Sequence, residues 1–470
     1  MSFVFLYFVL CFSSSIFILP SSSTTITLSL SPITSYQNSW EFITHIAKTT
    51  LQRAHHLKHP KKKPTSLSHL HKTSTTPLYP RSYGGYSVSL AFGTPPQAIP
   101  LVFDTGSSLV WVPCTSKYTC SNCTFSDVDP KNITTFKPKL SSSSKVIGCL
   151  NKKCGWLFGD DVTGRCPGCR PGLRNCSQSC PDYLLQYGLG ATTGMALSEN
   201  LDLPGEVVHD FFLGCSLVSL QQPAAAGIAG FGRAPNSLPN QLNLKKFSHC
   251  LLTHRYDDTP KSSKLVLAAA GKVTSTSELI RGVKYTPFRK NPKLSPYDEY
   301  YYINLRKITV GKKQVKVKIP YKLLAPNVNG AGGTIVDSGS TFTFMDRPIF
   351  EPLVKELVAQ MGHVRRAHNV EAQSEFGLCL NASSSRNISI PELVFHFKGG
   401  AKMELALGNY FSFMDDVGAL CLTIVTDTGP AVAGGPTGPA VIIGNYQQQN
   451  FYIEYDLEHQ RMGFKKHKCG

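Results

Sequence analysis

The chain has 470 residues, 41% of them hydrophobic, which is enough for two globular cores. Lys and Arg outnumber Asp and Glu by 18, but no basic run interleaved with aromatic residues follows the N-terminal region. We therefore interpret the charge as scattered and solvated, and we disfavour nucleic acid as a partner. Beyond the N-terminus, no apolar stretch is long enough to cross a bilayer.

The chain opens on an apolar stretch. Residues 3–19 are almost all apolar or Ser, without an acid, and Pro20 is followed by three serines. This pattern predicts a secretory signal peptide over residues 1–23, although no Lys or Arg precedes it, and a retained membrane anchor is the alternative. The prediction places the protein in the secretory pathway, with the extracellular space and cell wall favoured over the vacuole.

Residues 24–80 differ in composition from the rest of the chain. The Ser- and Thr-rich stretch 21–35 is expected to be disordered. A helix is predicted from Ser39 as N-cap, because apolar residues recur at steps of three and four from Phe42 to Ala54. The tail that follows is basic and His-rich, and up to Pro80 seven Lys or Arg accompany the single acid Glu41. On residue type alone this tail is a solvated linker.

An apolar strand then ends in Asp104, followed by Thr105-Gly106-Ser107. The end of a buried strand is a costly place for a charge. An Asp-hydroxyl-Gly tripeptide alone is most often an ordinary turn. Here, however, an alternating strand over residues 86–92 precedes it, as expected for a half-buried strand.

Nine cysteines fall between Cys114 and Cys180, among them Cys120-x-x-Cys123 and Cys166-x-x-Cys169. Such pairs could form a zinc site, but a secretory route favours disulfides. Apart from Cys11 the chain has 14 cysteines, an even number.

The decisive pattern is an internal repeat. Asp337 follows Ile335-Val336 and precedes Ser338-Gly339-Ser340, as Asp104 does in its own stretch. Later in each half comes an apolar-apolar-Gly element, at residues 226–232 and 441–445. A repeat outweighs any single motif and predicts two related lobes, each bringing one Asp to a shared interface as a catalytic carboxylate pair.

Other elements are predicted with less bearing on the site. We expect helices near residues 237–242 and 348–361, strands over 315–319 and 451–457, and a polar join between the lobes at 291–296. Residues 427–439, rich in Gly, Pro and Ala, are expected to form an exposed loop without assigned chemistry.

From about Tyr83 to the C-terminus these motifs resemble the pepsin-like aspartic proteases, and within them the cysteine-rich plant group typified by nepenthesins. The resemblance implies an all-β, bilobal fold of two β-barrel-like lobes around a cleft, with a few short helices. The N-terminal lobe would span 81–290, with a cysteine-rich insert, and the C-terminal lobe 291–470. The implied activity is peptide-bond hydrolysis at acidic pH by a water held between Asp104 and Asp337, without metal or cofactor.

The resemblance also implies roles for neighbouring residues. Thr105 and Ser338 would bond across the lobes, Ser107 and Ser340 would each bond the Asp of their own loop, and Gly106 and Gly339 would allow close backbone approach. Tyr187, in Tyr187-Gly-Leu-Gly, matches the tyrosine of the flap hairpin, and Trp111 its partner. Because Gly-Leu-Gly-Ala departs from pepsin's Gly-Thr-Gly-Ser, a hairpin tyrosine without catalytic part is the alternative.

Further implications concern covalent features and the N-terminal segment. Cys250 would pair with Cys469 and Cys379 with Cys421, while the pairing of Cys215 and of the cysteine-rich block stays open. Residues 24–80 would be a pro-segment whose cations lie across the acidic cleft. We hypothesise that acidification charges its histidines and ionises fewer carboxylates in the mature part, which loosens the segment. The glycosylation sequons expected on a secreted surface are Asn122, Asn132, Asn175, Asn381 and Asn387.

The sequence is also compatible with three competing functions. A binding protein of the xylanase-inhibitor type shares this architecture, but both Asp loops are intact here, which favours an enzyme. A polymer-binding wall protein is supported only by the basic charge. A homodimeric retroviral-type protease is disfavoured because one chain supplies both Asp loops. We expect a monomer that binds an extended peptide.

Overall fold

The structure, a computed structural model, describes residues 25–33, 39–58, 84–125, 128–169, 176–188, 190–222, 224–253, 262–268, 281–362, 364–382, 389–427 and 437–469. The predicted signal peptide lies outside these residues. Within them, no helix is both long and apolar enough to span a membrane.

The described chain is built mainly of short strands. Those of the first half are Thr25–Ile33 (β1), Gly85–Phe92 (β2), Gln97–Asp104 (β3), Trp111–Pro113 (β4), Thr119–Ser121 (β5), Lys145–Val146 (β6), Tyr183–Gln186 (β7), Ala191–Leu203 (β8), Glu206–Leu220 (β9), Gly227–Gly230 (β10), Lys246–Cys250 (β11), Ser263–Ala268 (β12) and Lys284–Pro287 (β13). Those of the second half are Tyr302–Ile303 (β14), Leu305–Val310 (β15), Val315–Lys316 (β16), Thr334–Val336 (β17), Thr343–Met345 (β18), Cys379–Asn381 (β19), Leu393–Phe397 (β20), Lys402–Leu405 (β21), Phe411–Met414 (β22), Ala419–Leu422 (β23), Ile424–Val425 (β24), Val441–Ile443 (β25), Phe451–Asp456 (β26) and Arg461–Lys466 (β27).

Helices are fewer. The α-helices among the described residues are Ser39–Lys58 (α1), Gly155–Phe158 (α2), Val162–Arg165 (α3), Leu238–Gln241 (α4), Arg347–Gln360 (α5), His368–Ala372 (α6) and Asn445–Gln448 (α7). Single 3₁₀ turns lie at Pro130–Asn132, Pro138–Leu140, Lys152–Cys154, Gly159–Asp161, Tyr297–Glu299, Tyr321–Leu324, Lys398–Gly400, Leu407–Asn409 and Asp415–Val417.

One sheet links the two halves of the chain. Its strand order is β13-β27-β26-β11-β12-β1-β2-β3-β10-β4-β9-β8-β6, with β5 paired to β9 and β7 to β8. The C-terminal half adds the sheets β14-β17-β25-β18-β24, β16-β15-β20-β21 and β19-β23-β22. The all-β bilobal prediction is confirmed.

The internal repeat is present in the strand topology. In the first half β10 lies between β3, to which it is parallel, and β4, to which it is antiparallel. In the second half β25 lies in the same way between β17 and β18. The two Asp loops therefore follow equivalent strands, β3 and β17, and the two carboxylates occupy equivalent positions in the two halves.

The helix predicted from Ser39 is present as α1, and it packs on the C-terminal half. Its buried apolar positions, Ile43, Ile46, Ala47, Ala54 and Leu57, recur at helical spacing and share a core cluster with residues of β17, β18 and β25. The helix is therefore bound to the fold by its apolar face and is not a solvated appendage.

The expected disorder of residues 21–35 is wrong for residues 25–33, which form β1. This strand lies between β12 and β2 and pairs antiparallel with both. Its sequence, Thr-Ile-Thr-Leu-Ser-Leu-Ser, alternates apolar and hydroxyl residues, which is the period of a strand. The polar composition concealed that alternation, and pairing on both edges supplies the backbone hydrogen bonds.

The remaining predicted elements differ mainly in length. The helix predicted over 348–361 is α5, and the strand over 451–457 is β26. The short helix α4 begins after Ser237, whose Oγ accepts a hydrogen bond from the Asn240 N–H at 3.4 Å. The strand expected over 315–319 is shorter and spans only Val315–Lys316 (β16), although the Val317 N–H still donates to Ile308 O of β15 at 2.9 Å.

Candidate active site

Each Asp loop binds its own carboxylate in the same way. Asp104 and Asp337 are fully buried, and each accepts hydrogen bonds from the backbone N–H two residues later and the hydroxyl three residues later. The distances are 2.9 Å from Gly106 N and 2.6 Å from Ser107 Oγ in the first loop, and 3.0 Å from Gly339 N and 2.6 Å from Ser340 Oγ in the second. Donors that favour the charged form thus hold both carboxylates in fixed orientations.

The two loops are joined by a reciprocal pair of hydrogen bonds. Thr105 N–H donates to Ser338 Oγ at 3.0 Å, and Ser338 N–H donates to Thr105 Oγ1 at 2.8 Å. The two hydroxyls then donate across the seam, from Ser338 to Phe103 O at 2.9 Å and from Thr105 to Val336 O at 3.3 Å. This closed network fixes the separation of the carboxylates because every member is buried and satisfied.

The glycines of the two loops leave room for the opposite carboxylate. A Cβ on Gly106 would lie 2.5 Å from Asp337 Oδ1, and a Cβ on Gly339 would lie 2.5 Å from Asp104 Oδ1. Real Cβ atoms do not tolerate such contacts, so the approach of the loops requires glycine at both positions.

Arg53 of α1 lies between the two carboxylates. Its Nη2 donates to Asp104 Oδ1 at 2.6 Å and to Asp337 Oδ1 at 3.0 Å, while its Nε donates to Asp337 Oδ2 at 2.6 Å. Because both Oδ1 atoms bond the same nitrogen, they lie within the sum of those two bond lengths of each other. The side chain of Arg53 is 9% exposed, so the ion pairs are shielded from water.

The environment shifts the two carboxyl groups in opposite directions. Burial raises the pKa of Asp104, and the charge of Asp337 adds to that rise, although Arg53 opposes it. Burial would also raise the pKa of Asp337, but Arg53, Ser340 and the Gly339 N–H outweigh it and lower the pKa. Docked Arg53 therefore favours the ionised form of Asp337.

Tyr187 lies over this site on the hairpin formed by β7 and β8. Its hydroxyl accepts a hydrogen bond from Trp111 Nε1 at 2.7 Å, and burial raises its pKa well above the ordinary value. A Cβ on Gly188 would lie 2.3 Å from the Cα of Arg53, so the hairpin tip packs directly on α1. The tyrosine and its predicted partner are therefore in contact beside Asp104.

A cavity beside the hairpin has mainly apolar walls. Val102, Ala226, Ile228 and Tyr187 contribute to its lining, together with Arg53 and Asp104. The cavity therefore places an apolar surface beside one carboxylate of the pair, where an apolar group could bind.

Comparison with known proteins identifies the family. Residues 86–267 match the family described as xylanase inhibitor N-terminal, and residues 300–466 match xylanase inhibitor C-terminal. A probable aspartyl protease of Arabidopsis thaliana is 32% identical over 430 residues, covering 82% of each chain, and aspartic proteinase nepenthesin-1 of Nepenthes gracilis is 30% identical, covering 82% of this chain and 78% of that protein. The chain belongs to the pepsin-like aspartic protease family, in its plant nepenthesin-like group.

Solved structures show the same fold at lower identity. The structure named edgp covers 95% of both chains with a TM-score of 0.60 at 17% identity, and basic 7S globulin from soybean covers 95% of this chain and 98% of that one with a TM-score of 0.59 at 16%. These likenesses extend the family fold across nearly the whole chain.

In this aspartic protease family member all 14 cysteines outside the N-terminal segment form disulfides. Cys250 is bonded to Cys469 and Cys379 to Cys421, as the resemblance implies. The pairs left open are Cys114–Cys215, Cys120–Cys123, Cys149–Cys166, Cys154–Cys180 and Cys169–Cys176. The alternative of a zinc site is wrong, because Cys120 and Cys123 are bonded to each other, and Cys166 and Cys169 are bonded to Cys149 and Cys176.

Within the described ranges, no group of three His, Cys, Asp or Glu side chains is placed to hold a metal ion. Of the predicted glycosylation sites, Asn122, Asn132 and Asn381 are exposed, and Asn175 and Asn387 lie outside the described residues.

The sequence reasoning missed the individual cations of α1. The sequence pattern treats Arg53 and Lys58 only as members of a basic segment, whereas both are buried against acids: Arg53 at the carboxylate pair and Lys58 at Asp346. Residues 427–439 were given no chemistry, yet Asp427 and Pro439 contact the last turn of α1. The sequence feature that could have predicted these contacts is the position of both cations in an amphipathic helix, where Arg53 and Lys58 lie next to the buried residues Ala54 and Leu57.

Proposed function

We propose that the protein is an aspartic endopeptidase that hydrolyses peptide bonds at acidic pH. The observation that carries the proposal is that Asp104 Oδ1 and Asp337 Oδ1 bond the same Arg53 nitrogen. A water molecule at that point would touch both carboxyl groups. Amide hydrolysis needs this placement, because it requires a base for the water and an acid for the carbonyl oxygen.

Proton transfer then balances over the cycle. One carboxylate takes a proton from water as the water oxygen bonds to the peptide carbonyl carbon, while the other carboxyl gives its proton to the carbonyl oxygen. When the C–N bond breaks, the first carboxyl gives its proton to the leaving nitrogen, and the second regains one from a hydroxyl of the intermediate. One water is consumed, and the pair is restored with its single proton.

An acidic optimum follows from the closeness of the two groups. Two adjacent buried carboxyls cannot both ionise cheaply, so over an acidic window they share one proton. Below the first proton-loss step the base is lost, and above the second the acid is lost. The proton belongs to the pair, and we assign it to neither Asp permanently.

The segment 24–80 acts, on this proposal, as an inhibitory pro-segment. Arg53 fills the place where water and substrate must bind, and Gly188 of the hairpin packs on its backbone. Activity would require α1 to leave the cleft. With residues 1–23 as a signal peptide, the protein would be a secreted, glycosylated zymogen that acts as a monomer on extended peptides.

The test is acid incubation of the full chain beside an Asp104→Asn version. Self-processing and hydrolysis of an unrelated unfolded protein are followed together, with and without pepstatin. We expect both activities in the parent chain, inhibition by pepstatin, and neither activity in the variant. Equal hydrolysis by both chains would contradict the proposal.

The second candidate is an inhibitor or binding protein on the same fold. It is favoured by one observation, that the matching family models are described as xylanase inhibitor. Such a protein needs no carboxylate pair, whereas here both Asp loops keep their hydrogen-bond donors. Inhibition of a xylanase by both the parent chain and Asp104→Asn, without peptide cleavage, would favour this candidate.

A further inference from the structure

Lys58, the last residue of α1, is buried in a site of its own. Its Nζ donates to Asp346 Oδ1 at 2.6 Å and to Pro439 O at 3.0 Å, and it lies 5.2 Å from the centre of the Phe344 ring. The two charged side chains are only 8% and 9% exposed. A carboxylate, a carbonyl and an aromatic face together form a binding site for an ammonium group.

The backbone of Lys58 is held as well as its side chain. Its carbonyl oxygen accepts hydrogen bonds from Tyr297 Oη at 2.8 Å and Thr437 Oγ1 at 3.0 Å. A Cβ on Gly438 would lie 2.4 Å from the Cα of Lys58, so that glycine leaves the space that the residue occupies. Main chain and side chain are thus both bound, as they are for a substrate residue in a peptide-binding cleft.

Asp346 directly precedes a helix, but its side chain does not cap that helix. The helix is α5, of which Asp346 is the N-cap residue. One oxygen bonds Lys58, and the other, Oδ2, is buried and accepts no hydrogen bond from the described residues. The carboxylate is therefore directed towards α1, and its Oδ2 atom can accept a further hydrogen bond. A guanidinium group could donate to both oxygens at once.

A second acid strengthens the negative character of this region. Asp427 Oδ2 lies 3.1 Å from Nε2 of His55, one turn before Lys58, and its charge also acts on Lys58 and Asp346. When α1 leaves, Asp346 and Asp427 lose these partners on the helix. The combined negative charge of the two acids then attracts another cation.

We propose that Asp346, with Phe344 and Pro439, forms a subsite of the cleft that takes a Lys or Arg side chain of the substrate. This rests on the proposed peptidase function and names its substrate class. Lys58 follows Arg53 by about 7–8 Å along the helix axis. In an extended peptide that rise corresponds to about two or three residues from the bond that is cut.

The experiment compares matched peptides on the acid-activated full chain. A peptide with an apolar central pair carries Lys, Arg or norleucine in turn at each of the three positions on either side, and kcat/KM is measured. Norleucine keeps the aliphatic stem of Lys without the charge. At one position we expect Lys and Arg to exceed norleucine by at least about tenfold. Equal rates at every position would overturn the subsite.

Variants assign the preference to Asp346. In Asp346→Asn the Lys-to-norleucine ratio should fall towards one, in Asp346→Glu it should stay above one, and in Glu351→Gln, an exposed acid of the same helix, it should equal the parent value. An unchanged ratio in Asp346→Asn would exclude the assignment. If that variant does not fold by circular dichroism, the parent peptides and Asp346→Glu decide.

The same experiment distinguishes failure of the peptidase proposal from failure of the subsite proposal. If the peptidase proposal is wrong, the parent chain cleaves no peptide, including the norleucine peptides. Binding to the subsite is then measured by fluorescence anisotropy of labelled Lys and norleucine peptides on the acid-treated chain. Tighter binding of the Lys peptide that Asp346→Asn abolishes supports the subsite, and equal binding overturns it.

Discussion

Thr105 and Ser338 exchange hydrogen bonds between their backbone N–H groups and side-chain hydroxyls across the seam of the two lobes. Each residue directly follows one of the two aspartates, so the exchange sets the distance between the carboxylates. Both residues are fully buried, and loss of either hydroxyl would leave N–H groups without partners.

We therefore expect Ser338→Ala to lower the free energy of unfolding by about 1–3 kcal/mol, because the buried Thr105 N–H loses its acceptor. Thermal unfolding followed by circular dichroism measures the effect. Ser338→Thr is the matched control, since it keeps the hydroxyl. A double variant with Thr105→Val should lose less than the sum of the single losses, because the two residues share one network. Strict additivity would argue against that network.

Arg53 should control the docking of α1. In Arg53→Gln two buried carboxylates lose their cation, a change of about 3–5 kcal/mol, so α1 should open more than about a hundredfold more often. Hydrogen exchange of residues 39–58 at neutral pH measures that opening. Lys48→Gln, an exposed change on the same helix, is the control and should exchange like the parent. Equal protection in Arg53→Gln would show that apolar packing alone holds the helix.

Release of α1 should depend on pH through Asp337. Arg53 holds the pKa of Asp337 below its ordinary value while the helix is docked, so docking favours the ionised carboxylate. That stabilisation is fully present above the pKa that Asp337 has without Arg53, and it is lost as the pH falls through the lowered pKa of the docked state. Limited proteolysis of α1 between pH 7 and pH 2.5 should show increasing release, and Arg53→Gln should flatten the dependence. Release that does not change with pH would contradict this assignment.

The expectation that charging of the histidines contributes to loosening the segment stays a prediction. His55 Nε2 lies 3.1 Å from Asp427 Oδ2 of the mature part. His59, His69 and His71 lie outside the described residues.

The hydrogen bond from Trp111 to Tyr187 should position the hairpin over substrate. In Tyr187→Phe the Trp111 indole loses its acceptor, and we expect kcat/KM to fall about tenfold, because the hairpin no longer closes in one orientation. Trp111→Phe should produce a similar loss, and the double variant should be no worse than either. Tyr321→Phe, at an 81% exposed position, serves as the control. Parent activity in Tyr187→Phe would favour a purely structural hairpin tyrosine.

The parts of this molecule that could be predicted from sequence are those whose signal is local and repeated. Each Asp loop carries its own hydrogen-bond donors within three residues of the Asp, so the short motif alone predicts which groups bind the carboxylate. The contact of Arg53 with Asp337 joins residues 284 positions apart. The amphipathic pattern of α1 places Arg53 beside the apolar face of the helix, but it does not identify the partner. The site of Lys58 was missed for the same reason, because Asp346 and Pro439 meet only through the fold.

The strand β1 illustrates a different failure. Its Ser and Thr content predicted disorder, whereas the alternation of Ile26, Leu28 and Leu30 with hydroxyl residues is the period of a strand. The Ser and Thr content of the segment is therefore a poorer guide to its structure than the two-residue period of its apolar side chains. Pairing with β2 and β12 then stabilises a segment that could not hold a strand alone.

The central claim, that Asp104 and Asp337 work as one unit, is tested most directly by the pH dependence of kcat/KM for the acid-activated chain and for Asp104→Asn and Asp337→Asn. The account predicts a bell-shaped acidic profile for the parent chain and a loss of at least about a thousandfold in either variant, because removing one partner removes both acid and base function. Substantial peptidase activity in either variant, with one limb of the bell intact, would contradict it.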